Sequence, residues 1–347
     1  MQYSVQPRHS CVFASLSLAL GCAAYFSILR RIRSVKKSTG SIIGSRIVVT
    51  HDTNEHTRSE GYVYIRRYDD DTSSVLKSMM AKDWVYDRPI VFLSDDENAA
   101  DALRTMHDTG SSCALIYNGP TLIGVLDLLD VVRYMLRGCI AEDISVRKMV
   151  RICTIGGDGL NLNDICQHLK TGARHVAITR EDHRHTIVSQ RSLVQALFHV
   201  AAHNSELESK FAIMLKDLGL PSHNKVITIE SSSTALDAFQ KMAAYDITSI
   251  LVTKDSTAHG VISSTDILYA RLKTDLLSLN VMDYITASRR DAQNNRSAET
   301  VICCSPNDKL HDAVSLMLTN NVHHIYVLDE EDKPTAVVSF VDVIRKM

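Results

Sequence analysis

From residue 88 onward the apolar positions alternate between two periods, and the alternation recurs. Residues 226–229 form a short apolar run; Ala235, Leu236, Ala238, Phe239 and Met242 follow at helical spacing; two more runs cover 250–253 and 260–262. Short apolar runs between polar residues predict strands, and a three-four spacing predicts a helix with one buried face. The order returns with 301–303, then Leu310, Ala313, Val314 and Met317, then 325–328 and 336–338. It is also present as 90–93, then Ala99, Ala102, Leu103 and Met106, then 113–117 and 122–126. A less regular copy has Leu162, Ile165, Cys166 and Leu169 followed by 175–179.

Each unit closes on a related phrase: Gly124-Val125-Leu126-Asp127-Leu128-Leu129-Asp130, Ile187-Val188-Ser189-Gln190-Arg191-Ser192, Gly260-Val261-Ile262-Ser263-Ser264-Thr265-Asp266 and Val337-Val338-Ser339-Phe340-Val341-Asp342. The last positions, 130, 192, 266 and 342, lie 62, 74 and 76 residues apart, which leaves room for one small α/β unit per period. The chain is an internal repeat.

The β-α-β-β-α order ending in Gly-hydrophobic-hydrophobic-Ser/Thr-x-x-Asp resembles the cystathionine β-synthase (CBS) domain. The resemblance implies an α/β fold of four CBS repeats paired into two tandem (Bateman) modules, about 88–197 and 223–347; an N-terminal hydrophobic helix, expected from the uncharged run at 11–29, precedes them. The expected division is 1–37 for a hydrophobic signal-anchor or targeting segment, 38–87 for a flexible tether and entry to the first repeat, 88–137, 138–218 (with a connecting helix), 219–275 and 276–347. Within the family, four repeats without an attached enzyme or channel domain most resemble the gamma subunit of AMP-activated (SNF1-type) protein kinase. Ser192 stands where the other phrases carry Asp, and that subunit likewise lacks the second aspartate. The stretch 280–290 resembles its basic connection, and Asn321-Val322-His323-His324-Ile325 resembles its Val-His-Arg-Leu.

The phrase has a chemistry of its own. Where a strand enters a helix, free backbone N–H groups and the positive helix end favour an anion, and an Asp three residues later can accept from both hydroxyls of a ribose. The resemblance makes Asp130, Asp266 and Asp342 the ribose ligands and Ser189, Ser263 and Ser339 the phosphate-side hydroxyls. Ser, Thr and Asp are also good helix caps, so capping alone is the competing reading of any single phrase. Cations for phosphate are Arg174, His175, Arg191, Arg289 or Arg290, His323 and His324. Arg offers a fixed fork, whereas His is only partly charged near neutral pH. The first unit departs from the pattern: Asp127 stands in the Ser/Thr place and Ser111 and Ser112 where the gamma subunit has Arg, so an anion there meets repulsion. The third and fourth repeats are the better binding pair.

With 347 residues, 45% hydrophobic, and a net charge of −2, the chain has no basic excess that would point to nucleic acid. Eight cysteines, at 11, 22, 113, 139, 153, 166, 303 and 304, show neither a Cys-x-x-Cys pair nor a secreted framework, which suggests buried thiols in a reducing compartment. No metal-ligand spacing, nucleophile elbow or phosphate loop accompanies the repeats, so no enzyme activity and no metal are expected.

Residues 11–29 are an uncharged run of 19, followed by Arg30, Arg31, Arg33, Lys36 and Lys37. That length approaches a membrane span, and the flanking charge leaves the repeats on the cytosolic side. Three readings fit: a signal-anchor at the mitochondrial outer membrane or endoplasmic reticulum, a cleaved presequence leaving a cytoplasmic or mitochondrial protein, or a buried helix. Residues 193–218 read as an amphipathic helical connection that packs the modules together. The function implied is adenine-nucleotide sensing (AMP, ADP or ATP) by a regulatory subunit of a kinase with alpha- and beta-type partners. The alternatives are a membrane-tethered CBS scaffold and a regulator of a transporter or metabolic enzyme, with weak or no nucleotide binding.

Overall fold

The computed structural model describes residues 71–80, 90–137, 145–151, 154–157, 159–181, 185–220, 226–271, 273–292 and 297–347. A first helix, α1 (Thr72–Ser78), precedes the repeats. The first repeat is β1 (Val91–Ser94), α2 (Ala99–Asp108), β2 (Cys113–Asn118), β3 (Thr121–Asp127) and α3 (Leu128–Leu136). The second is β4 (Thr154–Gly157), α4 (Leu162–Lys170), β5 (His175–Thr179), β6 (His185–Ser189) and α5 (Gln190–Ala201), with α6 (Ser205–Phe211) after it. The third is β7 (Thr228–Glu230), α7 (Ala235–Tyr245), β8 (Ser249–Lys254), β9 (Thr257–Ser263), a 3-10 turn at Ser264–Asp266, α8 (Ile267–Ala270) and α9 (Val281–Asp291). The fourth is β10 (Cys303–Cys304), α10 (Leu310–Thr319), β11 (His324–Leu328), β12 (Pro334–Ser339) and α11 (Phe340–Lys346).

Each repeat builds one three-stranded sheet in which the first strand runs parallel to the second and the second antiparallel to the third. The parallel step needs a crossover, and the helix between the two strands supplies it. Its apolar stripe is buried in every repeat, as Ala99, Ala102, Leu103 and Met106 illustrate. A one-residue register shift interrupts the antiparallel pair at Ile116/Tyr117, Val252/Thr253 and Val327/Leu328, and the second repeat pairs without one. Gly124 and Gly260 sit just beyond that shift, where neighbouring backbone crosses closely: Val125 and Arg151 exchange hydrogen bonds of 2.9 and 3.0 Å, and a Cβ on Gly260 would lie 2.8 Å from the Ala298 carbonyl.

Two kinds of contact join the repeats. The first and second meet through their sheets, with Leu115, Leu122, Val125 and Ala177 forming a small apolar cluster and Tyr117 Oη 2.8 Å from His185 Nδ1. The third and fourth meet through a buried Ser249 to Tyr326 hydroxyl pair at 2.9 Å. Helical faces then join the pairs crosswise. The first and third repeats share one core that includes Leu103, Val132, Phe239, Ile267 and Tyr284, and α11 of the fourth repeat packs on α4 and α5 of the second.

The connection expected as one helix over 193–218 is interrupted. Asn204 caps a second helix by accepting from Leu207 N–H at 2.8 Å, and a 3-10 turn follows at Leu215–Asp217. An Asn at this position favours a fresh N-terminus over continued helix. The segment still joins the modules: Leu310 N–H donates to Ile213 O and Leu215 N–H to Asp308 O, both at 2.9 Å.

The expected membrane anchoring, with the repeats held at the cytosolic face, is corrected. No helix among the described residues is long and apolar enough to cross a membrane, and the run at 11–29 lies outside the described residues, as does the tether expected at 38–87 except for 71–80. Among the cysteines, Cys166, Cys303 and Cys304 are buried free thiols. Burial pushes the Cys166 thiol up to about 11, which leaves it protonated and unreactive at neutral pH.

Candidate functional site

All four strand-to-helix junctions open onto one cavity of about 1410 Å³, lined by residues 127–129, 188–193, 263–266 and 339–341. The position of each junction follows from the repeat: the third strand delivers the cap residue, and crosswise packing of the helices turns the four caps inward.

The junctions differ in what satisfies them. At the third, Ser263 N–H and Oγ both donate to Asp266 Oδ2, at 2.8 and 2.9 Å, while Ser288 Oγ donates to Asp266 Oδ1 at 2.8 Å. Tyr284 Oη donates to the Asp266 carbonyl at 2.9 Å. At the fourth, Ser339 N–H and Oγ donate to Asp342 Oδ2 at 2.9 and 2.6 Å, and Arg345 Nη1 lies 4.0 Å from Oδ1. At the second, Ser189 and Ser192 cap each other reciprocally: Ser192 N–H donates to Ser189 Oγ at 3.2 Å, and Ser189 N–H to Ser192 Oγ at 2.8 Å. Local capping thus accounts for the Ser-x-x-Asp residue types. Of the two aspartates, Asp266 lines the cavity with Oδ1 holding one donor, so one acceptor position is left there.

The first junction is charged. Asp127 Oδ1 accepts from Leu129 N–H at 2.9 Å and Asp130 N–H at 3.1 Å, and its Oδ2 accepts from Arg174 Nε at 2.8 Å. Arg174 Nη1 reaches Asp246 Oδ1 at 3.1 Å, which also accepts from Arg133 Nη2 at 2.5 Å. Arg133 and Arg151 both bind Asp130 Oδ1, Arg151 through Nη2 at 2.5 Å. Burial opposes ionisation of Asp127, but Arg174 beside it, with His175 and Arg151, holds its carboxyl below the usual range. Asp130 moves the other way, because burial and repulsion from Asp127 outweigh Arg151. Asp130 Oδ2 and Arg174 Nη2 are buried without a hydrogen-bond partner. Asp246 occupies a left-handed backbone conformation, φ 54°, at the end of α7, which a short polar side chain tolerates.

Opposite lie the histidines of the second and fourth repeats. Desolvation by the surrounding protein pushes His175 down to about 4 with help from Arg174 and Arg151 and against Asp127; it pushes His323, which keeps an exposed side, to about 4 with Arg191 and His175 adding to it, and His324 to about 3 with His323 adding to it. These side chains are therefore neutral at pH 7. Arg191 is anchored by Nη2 donating to the Leu318 carbonyl at 3.0 Å.

Of the residues singled out from sequence, Asp266, Ser189, Ser263, Ser339, Arg174, His175, Arg191, His323 and His324 line the cavity. Asp130, Asp342 and Arg290 do not. Asp130 is turned into the ion-pair network, Asp342 is engaged by its own cap, and Arg290 is exposed, with Arg289 on the cavity side of the same helix. The residues missed are Asp246, Arg133, Arg151 and Ser288. Ser288 lay within the basic connection and shares a helix face with Tyr284, four residues earlier, a spacing that signals a common target. The other three carry no local signal. Among the described residues no group of three or more His, Cys, Asp or Glu could hold a metal ion.

The CBS domain model matches residues 81–137, 215–273 and 297–347, the segments that contain the first, third and fourth repeats. A SNF1-related protein kinase regulatory subunit gamma-1-like protein of Arabidopsis thaliana is 31% identical over 142 residues, 38% of this chain and 32% of that protein. Protein SDS23 of Meyerozyma guilliermondii is 25% identical over 170 residues, 46% of this chain and 32% of that protein. The matches thus span about a third of the length of these curated relatives. A solved Methanocaldococcus jannaschii protein, described as a candidate archaeal homologue of g-AMPK, shares the fold with a TM-score of 0.61 at 17% identity, over 77% of this chain and 99% of its own. The chain carries three CBS domains, and a fourth sheet of the same topology lies at 154–189.

Proposed function

We propose that the chain is a regulatory subunit that binds an adenine nucleotide, AMP, ADP or ATP, in the central cavity, and that occupancy adjusts a protein kinase assembled with it through alpha- and beta-type subunits. The observation that carries the reading is the convergence of four strand-to-helix junctions on one cavity. A ligand there touches repeats that otherwise meet through separate contacts, so its binding energy biases their packing. Asp266 supplies the ribose acceptor. Ser263, Ser339 and the backbone N–H groups beside them receive phosphate, with Arg191 and Arg289 among the fixed charges that line the cavity. The regulatory-subunit assignment draws on the name of the Arabidopsis relative.

Thermal unfolding scanned with AMP, ADP, ATP and S-adenosylmethionine tests the proposal, because a ligand that binds only the native state stabilises it, by about 2.7 kcal/mol at a hundredfold excess over Kd, and so raises the midpoint. The reading expects a shift with at least one adenylate and recovery of kinase subunits with the protein. A flat response to all four ligands overturns it. A ligand-free interaction scaffold is the second reading, favoured by the carboxylates of Asp266 and Asp342 already accepting hydrogen bonds within the chain.

A further inference from the structure

Three of the four phrases carry Ser at the cap position, Ser189, Ser263 and Ser339, and the first carries Asp127. The substitution alters more than the cap. Asp127 lies at the same cavity wall as the three serines, and its side chain is 8% exposed. One of its oxygens takes two N–H groups at the start of α3, a helix of nine residues. The other takes Arg174 Nε, the cation that the second repeat turns toward this junction.

We propose that Asp127 is the specificity-determining residue of the first junction: its carboxylate occupies the place of a ligand's anion and thereby refuses phosphate there. The proposal rests on the reading of the cavity as a nucleotide site and adds which junction is closed and by what. Three carboxylates, Asp127, Asp130 and Asp246, face three guanidinium groups, Arg133, Arg151 and Arg174, so the cluster is balanced without an external ion. A phosphate arriving beside it gains no uncompensated cation and meets the Asp127 charge at close range. Neutralising Asp127 reverses both terms. The cluster then carries one net positive charge, Arg174 Nε is released, and Arg174 Nη2 is already without a hydrogen-bond partner in the native chain. Two fixed guanidinium donors and two first-turn N–H groups make an anion acceptor.

The test is calorimetric titration of AMP, and separately of pyrophosphate, into the full chain and its D127S, D127N, D127E and D127S/R174Q variants. Ser already fills this position in the other repeats, so D127S is expected to fold; D127N keeps the side-chain shape while removing the charge and turning one acceptor oxygen into a donor, which guards against a folding defect in either variant. The expected result is one additional equivalent of AMP, or at least a tenfold tighter apparent affinity, in D127S and D127N. D127E behaves as the native chain, and adding R174Q to D127S removes the gain. Binding in D127S and D127N no greater than in the native chain, or a gain that survives R174Q, overturns the proposal. Titration of the native chain alone tests the nucleotide reading. A native chain that takes neither AMP nor, in parallel titrations, ADP or ATP, beside a D127S variant that takes one AMP, refutes that reading and supports this one.

Discussion

The first and third strand-to-helix junctions stand on equivalent backbone, share one apolar core and open onto the same cavity, yet one is closed by charge and the other is lined by hydroxyls. At the first, a buried carboxylate consumes both the helix N–H groups and the arginine that reaches it from the second repeat. At the third, Ser263 and Asp266 satisfy each other and Ser288 completes the set. The difference teaches that a repeat preserves geometry more strictly than chemistry. Four copies of one junction present four like backbones to the cavity, and single side chains decide how each is satisfied.

The largest effect concerns the neutral histidines opposite. His175, His323 and His324 are held near 4, 4 and 3 in the folded chain against 6.5 when free. The unfolded chain therefore binds more protons between about pH 6.5 and 4, so stability is complete above pH 6.5 and is lost as pH falls through that window. His175 and His324 are half-buried and His323 is exposed, so solvent screens the effect; unfolding followed from pH 7.5 to 4.5 should still show stability falling below pH 6 with a net uptake of protons. A flat profile would mean that these rings are protonated in the fold. A polyanion in the cavity would favour the protonated rings, so nucleotide binding should strengthen as pH falls below 6 toward their folded values.

Next in size is the ion pair that closes the first junction. Arg174→Gln leaves Asp127 buried with its backbone donors alone and should cost about 3 kcal/mol in denaturant unfolding. Asp246, which is largely exposed, contributes little to that figure. A loss below about 1 kcal/mol would show that the network is not what holds the first junction.

The paired glycines come third. Gly124→Ala drives a Cβ into the Arg151 carbonyl and to 2.6 Å from Val150 Cγ1, so the Val125 to Arg151 hydrogen-bond pair must open; Gly260→Ala meets Ala298 O at 2.8 Å and the movable end of Met282 at 3.2 Å. Both should destabilise, by about 1 to 3 kcal/mol, with Gly124→Ala the worse. Equal effects would remove the distinction between the two crossings. Asp266→Ala should lower stability by about 1 to 2 kcal/mol through loss of an acceptor for three hydrogen bonds, and Asp342→Ala by less. Nucleotide titrations of these variants are therefore read against their own ligand-free melts.

The repeats were legible because burial imposes period. The stripes Ala235, Ala238, Phe239, Met242 and Leu310, Ala313, Val314, Met317 are the buried faces of α7 and α10, and the apolar runs lie within or beside the strands. The weakest sequence signal, in the second repeat, belongs to a sheet whose first strand is Thr154–Gly157, with two glycines and one large apolar residue. Capping chemistry was legible for the same reason, since Ser-x-x-Asp is a local pattern. The closure of the first junction was legible only as a misplaced Asp127. Its partner Arg174 is 47 residues away and the bridging Asp246 a further 72, so neither distance carries a period, and only crosswise packing of the repeats brings them together. The histidines were legible as positions and not as charge states, because neutrality comes from burial among one another.

Ser263→Asp places the first junction's chemistry on the third and so tests the central claim most directly. Calorimetric titration of AMP into the native chain and into this variant should give saturable binding in the native chain and a loss of at least tenfold in affinity in the variant, with both melting as folded proteins. Undiminished affinity in Ser263→Asp, or no binding heat in the native chain, would contradict the account.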